Sequence, residues 1–128
     1  MKNLKRILLV DDDEIHLAIA ANILEEKYQI FIAKSGKETL DLLLKGISPH
    51  LILLDILMPN MDGWQTFHSI KGISLLKDVP IAFFTSVQGE NEMVNAKRIG
   101  ASDYITKPYD KDDLLKRIEI ILENQEKP

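Results

Sequence analysis

The chain has 128 residues, 45% hydrophobic and 28% charged, which suits one globular domain with one core. A net charge of -4 and a pI near 5.3 argue against general nucleic-acid or acidic-membrane binding, because both need a basic surface to displace counterions. With no cysteine there are no disulfides or thiolate metal ligands, and no apolar run approaches the roughly 20 residues that span a bilayer, so a cytoplasmic soluble protein without membrane insertion is expected.

Ile7 to Val10 is a short apolar run that ends abruptly in Asp11, Asp12, Asp13 and Glu14, the pattern of a buried strand running into acid. From Glu14 to about Lys27 helix formers follow, with Ile19, Ile23, Ala20 and Leu24 placed to pack on a sheet and Asp12 or Asp13 to cap the start. Gln29 to Ala33, with β-branched Ile30 and Ile32, reads as an edge strand. Ser35 and Glu38 form a capping box for a helix that carries Leu40, Leu43 and Leu44 up to Gly46. Leu51 to Leu54 is a continuous apolar run between Pro49 and Pro59, short enough for a strand buried on both faces, and it runs straight into Asp55. Asp62 and Gly63 mark a turn into a helix from about Trp64 to Lys71, ended by Gly72. Pro80 to Phe84 is the next strand and ends in Thr85 and Ser86. A helix opens between Gly89 and Glu92 and stops at Gly100, and Ser102 to Thr106 forms a fifth strand leading to Lys107 and Pro108. In the last helix Asp110 is the N-cap, Asp113 follows three residues on, and Tyr109 can staple against Leu114. Residues 1–124 are expected to form the domain and 125–128 a frayed C-terminal tail, with no linker to a second domain.

Five strands alternating with five helices predict an α/β fold: a doubly wound five-stranded parallel sheet with helices on both faces. Right-handed crossovers then bring all strand C-termini to one edge, where sites in open α/β sheets lie. That edge receives Asp11 and Asp12 from the first strand, Asp55 from the third, Thr85 from the fourth and Lys107 from just past the fifth. Three gathered carboxylates cannot all stay ionised unless something positive joins them. Oxygen-only ligands favour Mg2+ or Mn2+ over Zn2+, and Lys107 adds a compact positive donor. The chemistry this suits is phosphoryl transfer, with Asp55 as nucleophile and the metal and Lys107 offsetting charge on the moving group.

Val10-Asp11-Asp12, Asp55 with Met58-Pro59 and Asp62-Gly63 behind it, Thr85-Ser86 and Lys107-Pro108 together resemble a response-regulator receiver domain, over nearly the whole chain. The resemblance implies a flavodoxin-like strand order 2-1-3-4-5, as in stand-alone chemotaxis regulators. It implies Asp55 as phosphoacceptor, with Asp12, Asp55 and the Leu57 carbonyl as direct metal ligands and Asp11 acting through water. Thr85 and Lys107 would bind phosphoryl oxygens, Thr85 and Tyr104 would form the switch, and the Lys107-Pro108 peptide would be cis. The implied partners are a sensor histidine kinase or histidine phosphotransfer protein, and a downstream protein of unknown identity. The protein would be a phosphorelay signalling module of a two-component system that promotes its own phosphorylation, and no turnover enzyme.

Other readings stand beside this one. Tyr104 also suits a half-buried strand aromatic, and Trp64 fits either an exposed docking site or helix packing. His16, His50 and His68 share no ligand or triad spacing and read as helix-face or strand-start residues. A haloacid-dehalogenase type of enzyme resembles Asp-x-Asp, but Leu57 occupies the second acid's place. A flavin or nucleotide binder needs a phosphate-cradling loop after the first strand, where Asp11 to Glu14 would repel phosphate.

Overall fold

Strands form where bulky apolar residues run without interruption, and helices where the apolar period lengthens, so the two alternate along the chain. The computed structural model describes residues 3–126. Its elements are β1 (Arg6–Val10), α1 (Glu14–Leu24), β2 (Gln29–Ala33), α2 (Gly36–Leu44), β3 (Leu51–Leu54) and α3 (Gly63–Lys71). A 3-10 turn (Ser74–Leu76), β4 (Ile81–Thr85), α4 (Glu90–Ile99), β5 (Asp103–Thr106) and α5 (Lys111–Glu126) follow. All strands pair in parallel, in the order β2-β1-β3-β4-β5.

The sheet is covered on both faces, so strand side chains divide by parity. Ile7, Leu9, Leu51, Leu53, Ala82, Phe84 and Ile105 pack with Leu17 and Leu24 of α1 and Leu114 and Ile118 of α5. Leu8, Val10, Ile52, Leu54, Ile81, Phe83 and Tyr104 pack on the other face with Leu43, Phe67, Ile70 and Ala96 from α2, α3 and α4. The single core expected from composition is therefore two layers separated by the sheet. Each fully buried leucine or phenylalanine in them contributes about 1.5–3 kcal/mol.

Helix starts are fixed by short polar side chains. Asp13 caps α1 by accepting from the N–H groups of Ile15 and His16, and Ser35 caps α2 by accepting from Glu38. Asp62 and Gln65 make a complete capping box on α3, so that helix begins at Gly63. Glycine is required there: a Cβ on Gly63 would lie 2.2 Å from the Asp55 carbonyl oxygen, because α3 starts against the end of β3.

Several local expectations need correction. Helix α1 ends at Leu24, not near Lys27, since Tyr28 must turn back to start β2 and its N–H bonds to the Leu24 carbonyl at 2.9 Å. Its buried stripe is Leu17, Ala20, Ala21 and Leu24, which leaves Ile19 exposed. On α2, Leu44 is exposed as well, and Thr39 is the buried neighbour of Leu43. Helix α5 continues through Glu126, so the first two residues of the expected tail are helical, while Lys127 and Pro128 lie outside the described residues.

Candidate functional site

The parity that sorts the core also assembles the site. Leu9 pairs with Leu53 across β1 and β3, so the next residues of the same parity, Asp11 and Asp55, emerge side by side beyond the strand ends. Lys107 continues the parity of Ile105 and comes out on the same side, next to α1 and α5. Backbone bonds fix these exits: Asp55 N–H donates to the Val10 carbonyl at 2.9 Å, and Lys107 N–H to the Thr85 carbonyl at 2.9 Å.

Asp11 and Asp55 are buried, and Lys107 is 9% exposed. The Lys107 ammonium donates to Asp11 Oδ2 and lies 3.8 Å from Asp55 Oδ2, with the Phe84 ring centroid 5.0 Å below it. One carboxylate oxygen from each of Asp11, Asp12 and Asp55 lies within 4.8 Å of the others. These all-oxygen donors fit a hard cation such as Mg2+. Burial pushes the Asp55 carboxyl above its ordinary range, and the Asp11 charge adds to this. The Thr85 hydroxyl, the Lys107 ammonium and the Ile56 N–H, which donates to Asp55 Oδ1 at 2.7 Å, oppose the rise.

Thr85 is fully buried and shares the parity of Phe83, so it belongs to the α4 side of the sheet end. Its Oγ1 accepts from the Val87 N–H at 3.2 Å. Tyr104 is buried rather than half-buried: its ring packs at 6.1 Å from that of Phe83 and its hydroxyl donates to the Val87 carbonyl at 2.6 Å. Burial raises its phenol above the usual range. The Leu57 side chain is 62% exposed in the loop after β3. The Lys107-Pro108 peptide is cis. Trp64 is half-buried and packs on Phe83 with ring centroids 4.7 Å apart, which favours helix packing over an exposed docking site. His50 accepts from the Arg6 N–H at 2.9 Å and His68 lies exposed on α3.

His16 is the residue that sequence reasoning missed. Its Nδ1 lies 3.5 Å from Lys107 Nζ and 3.7 Å from Asp11 Oδ2. The available signal was position and not ligand spacing, since His16 sits in the first turn of the helix that leaves the acidic end of β1. Beside it a hollow of about 500 Å³ opens between α1 and the start of α5, lined by Ile19, Ile23, Lys107, Pro108 and Tyr109 among others.

A parallel sheet in this order, with acids from neighbouring strand ends facing a buried lysine, defines a doubly wound α/β protein with a polar site at its carboxyl edge. The family model "Response regulator receiver domain" matches residues 7–119, and the chain belongs to that family. It is 34% identical over 120 residues to the transcriptional regulatory protein CpxR of Escherichia coli, covering 93% of this chain and 50% of that protein. It is 32% identical over 114 residues to the response regulator PleD of Caulobacter vibrioides, covering 88% of this chain and 25% of the relative. The chain thus spans a quarter to a half of the length of these curated relatives. Among solved structures, a CheY-like response regulator receiver domain protein from Methanospirillum hungatei superposes with a TM-score of 0.87 at 34% identity, covering 97% of this chain and 98% of that one. The family's receiver domains are signalling modules of two-component systems and not turnover enzymes. No helix among the described residues is long and apolar enough to cross a membrane.

Proposed function

We propose that the protein is the phosphoacceptor of a two-component system or phosphorelay, taking a phosphoryl group onto Asp55 from a phosphohistidine on a sensor histidine kinase or histidine phosphotransfer protein. The observation that carries this is Asp55 itself, a buried carboxylate at the end of β3 with a lysine ammonium 3.8 Å away and two further acids beside it. An Asp55 oxygen attacks phosphorus, the P–O bond forms as the donor's P–N bond breaks, and the electron pair of that bond stays on the departing imidazole. Lys107 holds one phosphoryl oxygen and Thr85 another. Asp12, Asp55 and the Leu57 carbonyl would hold Mg2+ or Mn2+ directly, with Asp11 acting through water. When bound, the ion offsets negative charge on the transferring group.

For output, Thr85 moves toward the phosphoryl group and Tyr104 follows, altering the α4-β5-α5 face that a downstream protein reads. Support comes from the shared loop: Val87 gives its N–H to Thr85 and its carbonyl to Tyr104, so displacement of one residue is felt by the other. Two packings differing by a few kcal/mol suffice for one phosphoryl group to bias them. A cytoplasmic site of action, with no direct nucleic-acid contact by this domain, goes with this reading.

The experiment is intact-mass measurement after incubation with Mg2+ and acetyl phosphate. A single acid-stable, hydroxylamine-labile phosphoryl adduct is expected, absent in Asp55→Asn. Stoichiometric uptake by Asp55→Asn would overturn the assignment.

A further inference from the structure

The ammonium of Lys107 has three protons to direct. One goes to Asp11, and Asp55 lies 3.8 Å away. The remaining direction leads to α1, where His16 Nδ1 stands 3.5 Å from Nζ. The same imidazole turns Nε2 toward Asp13 Oδ2 at 3.9 Å. That is beyond hydrogen-bond reach, yet near enough for the carboxylate to favour a ring proton on that side. Asp13 is itself anchored, because its Oδ1 accepts from Ile15 N–H at 2.9 Å and His16 N–H at 3.1 Å. A neutral ring protonated at Nε2 therefore offers a bare Nδ1 to the ammonium. Asp11 Oδ2, 3.7 Å from Nδ1, would select the opposite tautomer, but it already accepts from Lys107, whose ammonium stands nearer to Nδ1 at 3.5 Å.

We infer that His16 is a positioning residue for Lys107: its Nδ1 accepts from the ammonium and holds it between Asp11 and Asp55, with Asp13 selecting the tautomer. This rests on the reading that Lys107 serves a phosphoryl group on Asp55. A lysine that gives up Asp11 for an incoming phosphoryl oxygen passes through a state with one partner fewer, and a neutral acceptor on the far side keeps that state from being unpaired. The imidazole, at 45% side-chain exposure, is open enough to follow the movement.

The test compares wild type with His16→Asn, which puts an amide oxygen near the Nδ1 position, and His16→Leu, which fills similar space without an acceptor. Phosphorylation by acetyl phosphate with Mg2+ is followed by intact mass. The His16 ring nitrogens of the unphosphorylated protein are read by long-range proton–nitrogen NMR at about pH 8.5, above the ordinary imidazole range. Expected are a ring proton on Nε2, a rate loss of about tenfold in His16→Leu, and recovery of most of it in His16→Asn. A ring proton on Nδ1, a wild-type rate in His16→Leu, or equal losses in both variants would overturn the inference. Should wild type take up no phosphoryl group, the Asp55 reading fails, and the tautomer alone still decides whether His16 faces Lys107.

Discussion

Replacing Asp55 by asparagine should stabilise the metal-free protein. The carboxylate stands no more than 4.8 Å from oxygens of Asp11 and Asp12 and 3.8 Å from the Lys107 ammonium. At an effective dielectric of about 20, each like pair costs about 3.5 kcal/mol and the opposite pair returns about 4.4 kcal/mol. Two acids against one ammonium leave a cost of about 2–3 kcal/mol, which solvent around the exposed Asp12 reduces to about 1–2 kcal/mol. For a chain of this size that corresponds to a melting temperature about 4–7 °C higher in Asp55→Asn. The pH dependence has a definite sign. Because the folded carboxyl is raised above 3.8, the native state holds the proton where the unfolded chain has lost it. The penalty is absent below that value, grows as pH rises toward the folded pKa, and is complete above it. Thermal unfolding by circular dichroism, in chelator from acid to neutral pH, reads both effects. An asparagine variant that melts at or below wild type near neutrality, or whose advantage persists undiminished in acid, would refute the reasoning.

Mg2+ should raise the wild-type melting temperature by mass action, and Asp12→Ala should lose most of that response; an equal shift in both would place the ion elsewhere. Gly63→Ala, which drives a Cβ into the Asp55 carbonyl, should cost about 2–3 kcal/mol in denaturant titration and slow phosphorylation, whereas wild-type behaviour would show that α3 shifts freely. The phosphorylated state should be long-lived, because Leu57 and the half-buried Val87 cannot hold an attacking water, and positioning carries up to about 7–11 kcal/mol in well-oriented reactions. Leu57→Asn combined with Val87→Glu should speed dephosphorylation clearly, and an unchanged rate in the double variant would sink the idea. Phosphorylation should shift NMR resonances around Tyr104 and across α4, so changes confined to the loops beside Asp55 would count against the switch.

The parallel sheet and the meeting of Asp11 with Asp55 were legible from the apolar runs and their parity, since once Leu53 is a buried strand residue Asp55 must leave on the same side, beside Asp11; the order 2-1-3-4-5 followed from the family resemblance and not from periodicity. The α1 face was legible in part: Ala20, Leu24 and the half-buried Ile23 do pack on the sheet, but Leu17 and Ala21 complete the stripe and Ile19 faces outward, a rotation that the helical period alone does not set. The capping box on α3 was missed because Gln65 looks like an ordinary surface residue until the Asp62 N–H is seen to need an acceptor. His16 could not be placed from spacing, since its neighbours Lys107 and Asp11 are 91 and 5 positions away and meet it only after the β5–α5 turn closes.

The division of the sheet by parity also separates two encounters. Under the proposed reading, a donor reaches Asp55 past α1 and the start of α5, while a protein that reads the α4-β5-α5 face meets α4 and Tyr104 on the other side of the sheet. The two visitors share only α5, and what passes between them crosses the thickness of one strand at Thr85. Substitutions on the exposed face of α1, such as at Ile15 or Ile19, should then bear on who donates, and those at Met93 or Val94 of α4 on who listens.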